Sequence, residues 1–150
     1  MEYCIRIPRQ LSLEWNEFRL NRAPFAFDWM TYRVSSEQEV FRCANSEPDD
    51  DPATAFEDFL EALPSATCCN AIYNLVHINS EGVELERFII FVSWSPPLAV
   101  AADKAEHAEA KRLLHGALQG VTAYLNANDK EEITLKTFRD LALVMPPRVD

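Results

Sequence analysis

Leu11, Trp15 and Phe18 recur at i, i+4 and i+7, the spacing of one helical face, and predict a first helix over 11–20 that Pro24 stops. The aromatic and β-branched stretch from Phe25 to Val34 predicts a strand, and a second short strand follows at Glu39–Cys43. The polar stretch Ser46–Pro52, with Pro48 and three consecutive aspartates, has no period and predicts a solvated loop. Thr54 and Glu57 then have capping-box spacing ahead of an apolar stripe of Phe56, Phe59, Leu60 and Leu63, a second helix that Pro64 ends. Ala71–Ile78 and Leu85–Trp94 alternate as strands and are joined by the turn-prone Asn79, Ser80, Glu81 and Gly82, so they predict a hairpin. Within it, the run Phe88 to Val92 is apolar on both faces, which suits the centre of a sheet covered on both sides.

Pro96 and Pro97 break the chain. Asp103 with Glu106 can cap a long helix over 103–118 whose buried face carries Ala110, Leu113, Leu114, Ala117 and Leu118, and Gly120 is its stop. Val121–Leu125 predicts one more strand, Thr134 caps a last helix with Leu135, Phe138, Leu141 and Ala142 inward, and the tail from Pro146 is expected to fray. The order is helix, two strands, helix, two strands, long helix, strand, helix. It predicts a single α/β domain over 1–150, with a central mixed sheet of five or six strands and helices on both faces.

The 150 residues suffice for one such core. No apolar run approaches the roughly 18 residues of a membrane span, and Glu2, Arg6 and Pro8 interrupt any signal-peptide core, so a cytoplasmic protein is expected. Charge changes the picture more. The formal net charge is −10, and residues 35–70 alone hold nine acidic groups against Arg42. Nucleic acid is therefore not an expected partner, nor is strong binding to phosphoinositides, because both need clustered Lys and Arg.

Traces of catalysis are sparse. Three glycines (Gly82, Gly116, Gly120) cannot make a phosphate loop, and no GxSxG or kinase signature occurs. His107 and His115, two turns apart without HExxH, read as exposed or helix-packing residues rather than ligands, and His77 as a sheet-face residue. The acidic residues 47–61 lack the EF-hand pattern. No metal or cofactor is expected. Phe25, Phe27, Trp29 and Tyr32 read as core or sheet-face aromatics rather than a base-stacking platform. The four cysteines form no CxxC pair and read as reduced thiols; a thiol enzyme using Cys68 or Cys69 is the alternative of another class.

Phe91-Val-Ser-Trp-Ser-Pro96, followed by a long helix closing in Ala117-Leu-Gln-Gly-Val121, resembles the ADF/cofilin family in both motifs and in their spacing. Phe59-Leu-Glu-Ala-Leu-Pro64, Ala71-Ile-Tyr73 and Glu132-Ile-Thr134 extend the likeness over residues 4–144. The resemblance implies the ADF-homology fold, no enzymatic activity, a monomeric cytoskeletal protein, and binding of actin through the long helix and the N-terminal tail. Carried over residue by residue, the actin contacts are Cys4, Ile5, Arg6, Lys104, Ala105, Ala108, Lys111 and Arg112. Ala102, Ala105 and the pair His115–Gly116 stand where the family carries arginine, methionine and a basic pair. Tyr3 and Cys4 replace its Ser-Gly, so the family's serine switch is missing at that position. A second, filament-facing surface keeps only Arg87 and Arg139 beside Glu86, Phe88, Leu141 and Val144. Monomer binding with weak or absent side-binding and severing is therefore expected. A glia-maturation-factor-like regulator of branched actin nucleation is the alternative within the same class.

Overall fold

A computed structural model describes residues 4–20, 27–46, 51–78 and 84–144, with the side chains of Pro52, residues 76–78, 84–86 and 143–144 left aside. Five strands form one sheet: β1 (Trp29–Val34), β2 (Val40–Asn45), β3 (Cys69–Ile78), β4 (Glu84–Trp94) and β5 (Ala123–Ala127). Their order is β2-β1-β3-β4-β5. Every pairing is antiparallel except β4 with β5, which the crossover through the long helix makes parallel.

The long β3–β4 pairing, from Cys69 opposite Trp94 to Ile78 opposite Glu84, sets the alternation that divides the core. Ile90, Val92 and Trp94 point to one face, Ile89 and Phe91 to the other, and all five are buried. Helices α2 (Pro52–Ala62) and α4 (Leu135–Val144) cover the first face. There Phe56, Phe59, Tyr73 and Phe138 pack with ring centroids 5.1 to 6.5 Å apart. Helices α1 (Arg9–Arg19) and α3 (Ala101–Ala117) cover the second face with Leu11, Trp15, Phe18, Ala110 and Leu114. The two-sided burial predicted from Phe88–Val92 is what the sheet shows.

Several boundaries differ from expectation. Helix α1 begins at Arg9 and has ended at its C-cap Leu20, before Pro24 is reached. Strand β1 starts at Trp29, not at the aromatic run's start; Phe27 and Asp28 precede it, and Phe25 lies outside the described residues, as do the 79–82 turn and the tail from Pro146. Strand β2 runs two residues past Cys43, and β5 lies two residues later than expected. Helix α2 is capped by Asp51, whose carboxylate accepts the Thr54 N–H at 3.0 Å, with Pro52 in the first turn; Thr54 is inside the helix rather than its cap. Helix α3 begins two residues before Asp103, with Val100 as an N-cap that offers no side-chain acceptor. Asp103 is spent on another contact, described below. Thr134 does cap α4, its hydroxyl accepting the Thr137 N–H at 3.0 Å.

Helix α3 ends at Ala117 with Leu118 as its C-cap, two residues before the expected stop Gly120, which lies in the turn beyond the helix. The φ of Gly120 is +94°, and a Cβ there would stand 2.8 Å from Cδ of Arg19. Beside it the Trp15 indole N–H donates to the Gln119 carbonyl at 3.0 Å, so the end of α1 and the exit of α3 are fastened together.

Candidate functional site

Helix α3 carries two flanks of different character. The inner flank is tied to the sheet and its connecting segments by four polar contacts. The Cys68 N–H donates to Asp103 Oδ2 at 2.7 Å, Gln38 Nε2 donates to Glu106 Oε2 at 3.4 Å, Ser93 Oγ lies 2.8 Å from His107 Nε2, and Lys111 Nζ donates to Asn126 Oδ1 at 2.5 Å. A cavity of about 30 Å³, room for a single water, lies under this flank between Asn70, Asp103 and His107. Burial pushes His107 down to about 4, so it is a neutral packing residue at physiological pH.

The outer flank is open. Ala101, Lys104, Ala105, Ala108, Arg112 and Gly116 are exposed and follow the i, i+3 and i, i+4 spacings of a single stripe, with Ala102 exposed at its edge. Immediately ahead of the helix, Leu98 is 73% and Val100 67% exposed, more than the next most exposed large aliphatic side chains among the described residues, Leu13 and Leu20 at 49% each. Sequence reasoning missed both, because Pro96 and Pro97 mark the segment only as a break. Its signal was there: two aliphatic residues in a loop with no periodic element to bury them.

The cations expected at the interface differ in what they can offer. Lys104 is exposed and forms no ion pair with another described residue. Arg112 is held by Glu109 through two contacts, Nε to Oε2 at 3.1 Å and Nη2 to Oε1 at 2.5 Å. Lys111 is half-buried and engaged with Asn126. A partner would have to recruit Arg112 and Lys111 from these contacts, whereas Lys104 already faces solvent.

The N-terminal tail is fixed beside the sheet edge. The Arg6 N–H donates to the Gln38 carbonyl at 2.8 Å and the Val40 N–H to the Arg6 carbonyl at 2.9 Å, a short parallel bridge onto β2. Ile5 departs from the expectation that it faces a partner: only 8% exposed, it packs in the core of the second face with Leu11, Trp15 and Val40. Cys4 and Arg6 are the outward-facing members, Arg6 pairing with Glu39 at 3.0 Å.

Arg87 on β4 and Arg139 on α4 are exposed. Phe88 and Leu141 direct much of their surface into the core of the first face, and the side chains of Glu86 and Val144 lie outside the described residues. The thiols do not form a reactive site. Cys68 and Cys69 are buried, and burial pushes both up, Cys69 to about 12, away from the thiolate form a nucleophile needs. His115 packs between Phe91, edge to face with centroids 4.7 Å apart, and Tyr124, tilted at 4.4 Å. Among the described residues no group of three or more His, Cys, Asp or Glu could hold a metal, and no helix is long and apolar enough to cross a membrane.

Trp94, the tryptophan of the Trp-Ser-Pro corner, donates its indole N–H to the Pro64 carbonyl at 2.6 Å. Two motifs far apart in sequence, the Leu-Pro helix end and the Trp-Ser-Pro corner, are therefore one structural joint. It sets where α3 leaves the sheet.

The family model for cofilin/tropomyosin-type actin-binding proteins matches residues 4–142. Actin-depolymerizing factor 3 of Zea mays is 34% identical over 92 residues, 61% of this chain and 66% of the maize protein. Actin-depolymerizing factor 2 of Arabidopsis thaliana is 27% identical over 128 residues, 85% of this chain and 87% of that protein. Among solved structures, the cofilin of Streptomyces griseoflavus superposes with a TM-score of 0.78 at 22% identity, covering 95% of this chain and 99% of its own. Actin depolymerization factor 2 of Plasmodium berghei gives 0.76 at 16% identity, covering 96% and 100%. At such identities these two likenesses speak for the fold.

Proposed function

The chain belongs to the cofilin/ADF family of actin-binding proteins, and from that premise we propose that it binds monomeric actin through the outer flank of α3 together with the N-terminal tail. The observation that carries the reading is the open stripe Lys104, Ala105, Ala108 and Arg112, led by the exposed Leu98 and Val100. Small side chains on a helix allow close approach to a groove, exposed aliphatic groups supply area to desolvate, and a rim cation sets orientation. The protein acts by binding rather than by catalysis, as a regulator of filament turnover in the cytoplasm.

Filament side-binding and severing are weak or absent in this reading. Only Arg87 and Arg139 represent the basic filament-facing surface, and Phe88 and Leu141 are partly committed to the core. The glia-maturation-factor-like alternative would show as binding to the actin-related branching complex without binding to actin.

Titration of labelled actin monomers with wild-type protein and with Lys104→Glu tests the surface. Charge reversal should weaken monomer binding by about 1 to 3 kcal/mol, the size of an interface hot spot. An unchanged affinity would move the interface off α3.

A further inference from the structure

The connection between β1 and β2, residues 35–39, holds a backbone conformation that its sequence does not favour. Gln38 has φ +62°, and it is the single non-glycine residue among those described with a positive φ. Glutamine lacks the short side chain that lets asparagine or aspartate settle there, so surrounding contacts must hold it. Those contacts reach in three directions. Within the turn, the Gln38 N–H donates to the Ser35 carbonyl at 3.0 Å, and Ser35 Oγ accepts the N–H groups of Glu37 and Glu39 at 3.3 Å each. Toward the tail, the Gln38 carbonyl accepts the Arg6 N–H at 2.8 Å. Toward the long helix, the Gln38 side-chain amide donates to Glu106 at 3.4 Å.

One residue thus touches both segments of the proposed actin face, its carbonyl on the tail and its side chain on α3. Tail and helix are otherwise separated by some hundred residues of sequence. We propose that Gln38 is a positioning residue that fixes the N-terminal tail relative to α3, with Glu106 as the helix-side anchor. Its purpose rests on the actin-monomer reading above, but the linkage is a property of the free protein and is measured without actin. Were Gln38 only a turn residue, removing the carboxylate of Glu106 on a different element would leave the tail unaffected.

Amide hydrogen exchange on the free protein reads this directly at Arg6 and Val40, whose N–H groups make the tail bridge. Glu106→Ala should raise exchange at both about fivefold, the factor for losing one hydrogen bond of ordinary net strength, while Ile90 and Phe91 in the sheet centre stay unchanged. Glu106→Gln, which keeps an acceptor for the Gln38 amide, should restore the wild-type rates, and adding Gln38→Ala to Glu106→Ala should produce no further loss of the coupling. Unchanged exchange at Arg6 in Glu106→Ala, or Glu106→Gln behaving like the alanine variant, overturns the linkage. In a separate titration, Glu106→Ala should weaken actin-monomer binding several-fold. Altered exchange with unaltered affinity overturns the positioning role, whereas failure of the wild-type protein to bind monomers overturns the functional reading and leaves the exchange result standing on its own.

Discussion

His107 sits on the inner flank of α3 with Ser93 Oγ 2.8 Å from its Nε2, and Asp103 and Lys111 are the charged groups that act on it. Burial disfavours the imidazolium, and Lys111 adds to that effect while Asp103 opposes it. The folded value of about 4 lies below the ordinary value near 6.5, so the unfolded chain binds the proton first as pH falls. Stability from this residue is complete above about pH 6.5 and is lost as pH drops toward 4. Urea unfolding at pH 7 and pH 5 should show about 1 kcal/mol of acid loss that His107→Gln removes, a figure reduced from the full linkage value for the residue's partial exposure. His115, also pushed down by burial and by Lys111, contributes a smaller slope of the same sign that survives in the variant. Gly120 offers a second residue-level check. Gly120→Ala should cost about 1 to 2 kcal/mol through its left-handed backbone and its approach to Arg19, and Arg19→Ala in the same chain should recover only the contact part.

At the scale of elements, the tail and α3 show how the same residues serve fold and function differently. Ile5 packs among Leu11, Trp15 and Val40, so Ile5→Ala should destabilise the protein by about 2 kcal/mol in chemical denaturation, while Cys4→Ser should leave stability unchanged. A surface role for Ile5 would reverse that contrast, with normal stability and weakened actin binding. Element identity was legible because apolar periodicity is written locally: Leu11, Trp15 and Phe18 for α1, and Phe88 to Val92 for a strand buried on both faces. What lay hidden was set by long-range partners. Asp103 resembles a cap in sequence but is consumed by the Cys68 N–H, and Asp51 takes over the cap of α2 because Pro52 can occupy the first turn without an N–H. Leu98 and Val100 carried only a weak local signal, two aliphatic residues in an aperiodic segment, and the path from the Trp94–Pro64 joint into α3 is what leaves them exposed. The site residues transferred by resemblance divide the same way: Lys104, Ala105 and Ala108 stand together on the open flank, Arg112 joins them while paired with Glu109, and Lys111 and Ile5 face inward contacts.

For the whole molecule, the formal net charge of −10 opposes association with an acidic partner at long range, so the proposed mode assigns recognition to local apolar contact and Lys104. The association rate with actin monomers should therefore stay level or rise between about 50 and 150 mM salt, opposite to a pair steered by attraction, and stopped-flow mixing at the two concentrations checks it. Family membership fixes the class of partner; the monomer-first mode is the proposal, and it rests on the open α3 stripe and on Arg87 and Arg139 as the cations left at the expected filament-facing surface. The measurement that tests this most directly is a titration of the wild-type protein against purified actin monomers and, in parallel, its co-sedimentation with filaments. The expected result is saturable binding to monomers with little protein pelleting with filaments. Absence of monomer binding, or filament binding as strong as monomer binding, would contradict it.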